Sequence, residues 1–326
     1  MLLSAIREGR EPDLGRKTSS YRQWYEALQR YGGSRRVLLQ RSYWEGVVSE
    51  YRGLPVDKEY AGDVRMDDRK GYQVGLGREV TQRLLQEAPR VYHTEINDIL
   101  LCGLAKVLCG WMKSDRVVIG LEGHGRELIW ERLDTSRTVG WFTSLHPVLL
   151  SIKGGKEAGD RLKGIKEQLR SVPDKGLGYG VLKYMNRAAG LQGKAPWDMV
   201  FNYLGQLDNV VGSSSWFSGV PESSGSNVGA RYVMEEKLSV VGMVAGGELM
   251  MSWTYSTLHY REETIKALAE GHMEELRRLV EHCVERGRKG TEHTPSDYGL
   301  TGEVSYKELD DFLNAEGSEM SNVMDF

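Results

Sequence analysis

The sequence predicts a mixed α/β fold, on three observations. A helix-length apolar stretch, residues 95–112, runs directly into a strand-length one, Val117 to Leu121. Two strand-like runs, Leu238 to Ala245 and Glu248 to Ser256, meet at Gly246-Gly247 as a hairpin. Ile265, Leu268, Ala269, His272, Leu276, Leu279, Val280 and Cys283 keep helical spacing and define a long closing helix. Helix-to-strand steps within one chain imply helices layered on a mixed sheet.

The 326 residues suffice for one large or two medium domains with real cores. A net charge of -3 gives no reason to expect nucleic acid or a membrane surface as partner. No run is apolar enough to span a bilayer, and Met1 to Glu8 lacks the basic-then-apolar layout of a secretory signal. Cys102, Cys109 and Cys283 are an odd count without metal-like spacing, so no metal site is expected. They read as buried thiols of a cytoplasmic protein. Residues 291–326 hold nine acidic residues and one basic one, and are expected to form a separate acidic tail.

Along the chain, Leu2, Leu3 and Ile6 already keep helical spacing with no cap before them, as at the end of an element whose beginning lies elsewhere. Tyr21, Trp24, Tyr25 and Leu28 define the apolar face of a helix capped by Ser19 or Ser20. A second helix is expected over Ser34 to Glu50, an irregular polar stretch over 55–72, and a helix over 78–88. Thr94 is expected to cap helix 95–112, whose middle is apolar nearly all round and therefore buried. Arg137 to Pro147 reads as a loop feeding a strand through Val148 to Leu150. His146, with no visible orienting partner, reads as structural rather than catalytic. Ala158, Leu162, Ile165 and Leu169 mark a helix ended by Pro173. Gly176-Leu-Gly-Tyr-Gly180 reads as a turn able to approach a phosphate, but it lacks the Walker pattern and no strand precedes it. Asp198 to Gly205 reads as a strand with Asn202 and Tyr203 on opposite faces. Residues 211–230, rich in Ser and Gly, are expected to be a long loop. His272 falls on an apolar helix face and is expected to be packed and hydrogen-bonded.

Chemistry concentrates after the central strand. Val117 to Leu121 should be covered on both faces, which places Glu122 at the strand end, where it can face a cavity. Gly123 and Gly125 would let backbone pass close to a ligand. Arg126 could hold a carboxylate or a carbonyl oxygen through its planar fork.

These motifs together resemble a known family. Glu122-Gly-His-Gly-Arg-Glu127, Arg137-Thr-Val-Gly-Trp-Phe142, Pro173 through Gly176-Leu-Gly-Tyr-Gly180, Phe201-Asn-Tyr-Leu-Gly-Gln206 and Thr94-Glu-Ile-Asn-Asp-Ile-Leu100 occur in order. The chain resembles the C-terminal part of the epimerization domains of nonribosomal peptide synthetases, in the condensation-domain superfamily, over residues 1–300. The resemblance implies a chloramphenicol-acetyltransferase-like fold of two α/β lobes around a tunnel. It divides this chain into a remnant of the N-terminal lobe with linker helices (1–93), a C-terminal lobe (94–290) and an acidic tail (291–326). It implies an isomerase that removes the Cα proton of an aminoacyl or peptidyl thioester and returns it on the opposite face. The substrate would arrive on the 4′-phosphopantetheine arm of a carrier domain, with no cofactor bound by this chain itself. Glu122 matches the catalytic carboxylate, Asn202 and Tyr203 match positions lining the same site, and Arg126 would orient Glu122 or its neighbours. Gly178, Tyr179 and Trp141 are the candidates for tunnel wall. Residues 303–326 would contact the next synthetase subunit.

One departure stands out. The family's second catalytic element, His-His-x-x-x-Asp-Gly, belongs to the N-terminal lobe, and these 326 residues hold no His-His pair. The second lobe is therefore expected to be truncated, and the chain alone is expected not to epimerise. Two other readings remain: a condensation-type domain that forms peptide bonds, and a non-catalytic carrier- or subunit-docking module or gene fragment.

Overall fold

The apolar runs assemble into a six-stranded mixed sheet. The computed structural model describes residues 2–155, 157–207, 225, 228–301, 304 and 308–309. The sheet strands are β2 (Arg69–Leu76), β3 (Arg116–Gly123), β4 (Ser144–Ser151), β5 (Met199–Gln206), β7 (Leu238–Ala245) and β8 (Glu248–Ser256), in the order β2-β8-β7-β5-β3-β4. β3 and β5 pair in parallel, as do β5 and β7, and the outer pairs are antiparallel. Two short strands, β1 (Val64–Arg65) and β6 (Val233–Met234), pair separately. The hairpin turns at Gly246-Gly247, both in the left-handed region that a two-residue turn requires.

The helices, in chain order, are α1 (Leu2–Arg7), α2 (Tyr21–Gly32), α3 (Arg35–Leu38), α4 (Arg41–Ser49), α5 (Arg78–Gln86), α6 (Ala88–Val91), α7 (Ile96–Met112), α8 (Ala158–Arg170), α9 (Leu177–Gly180) and α10 (Glu262–Gly287). α7 is the buried helix, packed on α10, α8 and β3. His272 of α10 hydrogen-bonds the Leu100 carbonyl at 3.0 Å, the packed histidine expected there. Cys102 and Cys109 on α7 and Cys283 on α10 are buried free thiols, whose burial pushes them up to about 12, 11 and 12.

Several elements differ from the sequence reading. Residues 69–72, the end of the stretch expected to be irregular, begin edge strand β2, which pairs with β8 from Arg69 to Leu76. Two glycines and a mostly polar, outward face hide its alternation, as an edge strand permits. One hydrophobic core runs from Trp24 to Cys283, so the division expected at residue 93 is not a division of the packing. The helix expected over 34–50 is two, α3 and α4, broken at Leu39-Gln40. Ser20 caps α2, but the buried face is Trp24, Ala27 and Tyr31; Tyr21 and Tyr25 are exposed. Tyr21 keeps its ring edge-on to Phe142 while its hydroxyl donates to the Trp141 carbonyl at 2.9 Å. Glu95, not Thr94, is the N-cap of α7, and the Asp98 carboxylate accepts from its backbone N–H at 2.6 Å.

The glycine-rich stretch 176–180 is a helical turn, α9, rather than an open loop. It follows Asp174, Lys175 and Gly176, all left-handed. The Asp174 carboxylate is held by the Tyr31 hydroxyl, the Arg36 guanidinium and Gln40 Nε2, which offsets part of the cost of two non-glycine residues in that region. Residues 292–298, expected within a separate tail, are clipped to the body. Lys166, its side chain 1% exposed, donates to both Asp297 oxygens at 2.7 Å and to the Tyr92 carbonyl at 2.8 Å. The loop expected over 211–230 and the docking segment 303–326 lie largely outside the described residues. Among the described residues no helix is long and apolar enough to cross a membrane.

Candidate active site

Glu122 stands where its strand predicts. Gly120 pairs with Val200 and Leu121 with Phe201 in the parallel β3–β5 ladder, which brings residue 122 beside residue 202 on the same face. Asn202 Nδ2 donates to Glu122 Oε2 at 2.6 Å. The carboxylate is partly buried. Its proton affinity is raised, first by burial and then by the negative charge of Glu236. Glu236 is itself held by Arg69 Nη1 at 2.9 Å, a pair almost closed to solvent. A carboxylate with raised proton affinity and one amide donor to orient it is equipped to act as a base.

Tyr203, one residue on, belongs to the opposite face of the sheet, as the period of two requires. It lines a different cavity, with Leu85, Pro89 and Thr94 to Asn97. Burial alone raises its phenol. The structure thus joins Glu122 to Asn202 and sets Tyr203 behind them.

Arg126 does not reach Glu122. Its fork donates to the Thr135 and Thr138 carbonyls, and its guanidinium lies 3.9 Å from the Phe142 ring centre. It positions the loop after the site instead of the carboxylate, because carbonyls nine and twelve residues on come nearer. Gly125 is not a ligand opening either. At φ +65° its Cα faces the Phe142 backbone, and a Cβ there would collide with the Phe142 carbonyl oxygen. Gly123 is closed in the same way by Ser144 Oγ, 2.9 Å from where a Cβ would stand.

The candidate tunnel residues divide. Trp141 is 82% exposed, while Tyr179 is fully buried, 5.4 Å from the Trp44 ring and 6.1 Å from the Trp197 ring. Gly178 is packed so closely that a Cβ would collide with Gln40 Oε1. Tyr179 and Gly178 are therefore core, holding α9 against α2 and α4. His146 is buried in the β4 strand with Nδ1 unpaired, and burial lowers it to about 4. Among the described residues no group of three or more His, Cys, Asp or Glu could hold a metal ion.

Glu236 and Arg69 are the site neighbours that sequence reasoning missed. Arg69 sits in the stretch read as irregular, and Glu236 precedes a strand without any motif. Only the sheet order, which carries β2 and the approach to β7 across to this face, brings them in.

The fold and site define a class: a mixed-sheet α/β lobe with a raised carboxylate at a central strand tip. The Condensation domain family model matches residues 2–297, and the chain belongs to that family. It is 36% identical over 321 residues to bacitracin synthase 3 of Bacillus licheniformis, covering 98% of this chain and 5% of that protein. It is 36% identical over 318 residues to tyrocidine synthase 1 of Brevibacillus parabrevis, covering 94% and 29%. The chain thus spans a small part of the curated relatives it matches. Among solved structures, the epimerization domain from the third module of tyrocidine synthetase B superposes with a TM-score of 0.79 at 33% identity, covering 87% of this chain and 64% of that one. The cyclization-docking bidomain of a nonribosomal peptide synthetase from Sorangium cellulosum, at 20% identity and a TM-score of 0.61, covers 86% of this chain and 55% of that one and shares the fold.

Proposed function

We propose that this chain is the C-terminal part of a peptide-synthetase epimerization domain, with Glu122 as the base that removes the Cα proton of a carrier-bound aminoacyl or peptidyl thioester. The observation that carries the reading is the Asn202–Glu122 pair. Glu122 takes the proton, and the C–H electron pair moves into the thioester as an enolate. A second proton is then delivered to the opposite face of Cα, the enolate electrons form the new C–H bond, and Glu122 releases the first proton to solvent. Half-burial keeps Glu122 basic enough to compete for a weakly acidic C–H. Asn202 fixes which carboxylate oxygen is occupied and leaves the other free.

The reading assigns opposite-face protonation to a group outside these residues, since the resemblance places it on the His-His-x-x-x-Asp-Gly element. The 4′-phosphopantetheine arm of a carrier domain would present the thioester. Likeness to the tyrocidine synthetase epimerization domain supports this reading over a condensation-type role.

The test uses the synthetase polypeptide that carries this chain, its carrier loaded with an L-aminoacyl thioester, in deuterated water. Glu122→Gln should slow deuterium uptake at Cα by roughly 10²- to 10⁴-fold, the share general acid–base groups supply. Peptide-bond formation downstream should persist with L-configured product. Unchanged deuterium uptake with lost peptide-bond formation would overturn the assignment in favour of condensation.

A further inference from the structure

The strand register sets more residues on the face of Glu122 than Asn202 alone. Along β7 and β8, buried residues alternate with half-exposed or exposed ones. The uncovered row shares the face of Glu122, because Asn202 pairs with Val241 and Val241 with Ser252. Val241 stands two strands from Glu122, about 10 Å across the sheet, and Met243 one pleat, about 7 Å, further along β7.

This face is divided. On β3, one pleat before Glu122, it is closed: Trp197 covers Gly120, and a Cβ there would stand 3.0 Å from the Trp197 ring. On β4, Leu145 beside Glu122 packs on the hydrophobic core. Beyond Asn202 the face is open to water. Toward the β7–β8 turn its side chains are apolar: Leu204, Val241, Met243 and, opposite Met243, Met250. Among the described residues these four stand outside the packing of the core. Gly75 flanks Met250 on β2 and adds no side chain. Away from the turn the face is polar, with Ser239, Ser252 and Thr254 leading to Arg69, which bonds Glu236 and the Thr254 carbonyl. An apolar patch that begins beside a reactive carboxylate and stays wet marks a place for a ligand.

We propose that Leu204, Val241, Met243 and Met250 form the floor on which the side chain of the inverted residue lies, and that they select an apolar side chain. The floor rests on the function proposed above, since only a Cα brought to Glu122 carries a side chain to it. Asn202 draws the carboxylate toward β5, the side on which the floor begins. Methionine is unbranched and polarizable, so two of them facing each other adapt to straight, branched and aromatic shapes alike. These four side chains offer no charge and no strong hydrogen-bonding group. A glutamine side chain laid on them would leave water and gain no partner. A lysine side chain would also hold its charge near Glu122 and lower the proton affinity the base needs. The nearest ionised pair along the floor, Glu248 and Arg78, lies past Met250 at the turn, exposed and 3.9 Å apart.

The synthetase polypeptide that carries this chain is charged on its carrier with L-methionine or with L-glutamine, side chains of similar length, and deuterium uptake at Cα is followed in deuterated water. The methionyl form should exchange at least about tenfold faster, the scale on which apolar pockets discriminate. Met243→Gln with Met250→Gln, both at half-exposed positions, should bring the two rates together. Glu122→Gln should slow both and leave their ratio unchanged, as would any change that only loosens the carboxylate. Equal rates in the parent, or a ratio that survives in the double variant, would overturn the floor. A second measurement is independent of turnover. The chain, isotope-labelled at its methionine methyl groups, is titrated with the N-acetylcysteamine thioesters of the two amino acids and followed by methyl NMR. The Met243 and Met250 signals should move with the methionine thioester and stay still with the glutamine one. Such movement without Cα exchange in the charged synthetase sinks only the inversion. An equal response to both thioesters, or to neither, sinks the floor.

Discussion

Asn202 Nδ2 reaches Glu122 Oε2 at 2.6 Å across two parallel neighbouring strands. That bond ties an acid 80 residues upstream to an amide on β5 without any loop between them. Strand geometry, rather than a flexible segment, sets where the carboxylate points. Asn202→Leu should therefore keep the fold and cost about tenfold in Cα exchange by the loaded synthetase, through loss of orientation. Asn202→Asp, a like charge beside Glu122, should cost more and move the acidic limb of the pH–rate profile upward.

Burial and Glu236 raise the proton affinity of Glu122 in the folded chain above its ordinary 4.5. The folded protein thus binds this proton more tightly than the unfolded one does. Stability from it is complete below about 4.5 and is lost as pH rises through the folded value. Glu122→Gln, which keeps an acceptor for Asn202, should be more stable than the parent at pH 8 and equal to it near pH 4. Urea unfolding at both values checks this. A constant gap would place the effect in packing instead.

His146 and His272 titrate in the other direction. Burial lowers each to about 4 from 6.5. The unfolded chain takes up these protons first as pH falls, so stability is present above about 6.5 and is lost on the way down to about 4. Each histidine contributes a loss on the order of 3 kcal/mol over that window. His146→Phe should remove about half of this acid-side slope in pH-dependent urea melts.

Lys166 is buried and doubly bonded to Asp297, whose side chain water can partly reach. Lys166→Met should cost about 1–3 kcal/mol, the loss of charged hydrogen bonds to a carboxylate that solvent can still partly hydrate. Lys166→Met with Asp297→Leu should recover most of that loss. Chemical denaturation of the three proteins measures it.

Gly125→Ala adds a Cβ into the Phe142 carbonyl at a left-handed φ. A loss of more than about 2 kcal/mol should show as a lower melting temperature. Gly154, left-handed with open space around it, should lose only about 1 kcal/mol on the same change.

The fold was legible where apolar period and chain punctuation agreed: α7, β3, the β7–β8 hairpin and α10. It was obscure at β2, because only Tyr72, Val74 and Leu76 face inward and the exposed row beside them is Gly71, Gln73 and Gly75, which carries little strand propensity. Glu122 and Asn202 were legible through motif resemblance, and the ladder explains their meeting. Arg126 was misjudged because a guanidinium chooses among nearby carbonyls by tertiary distance, which spacing does not encode. Gly178 and Tyr179 were misjudged because glycines serve close packing as readily as open approach. The role of Glu236 was invisible because its charge acts across the sheet rather than along the chain.

The three thiols sunk in α7 and α10 have a practical consequence. With thiolate formation suppressed to about 11 or 12, an electrophile finds no nucleophile while those helices stay together. Maleimide labelling of Cys102, Cys109 and Cys283 is thus silent in the native protein and reports only excursions that part the two helices. The molecule carries its own clock for large-scale opening, readable by mass without adding a probe.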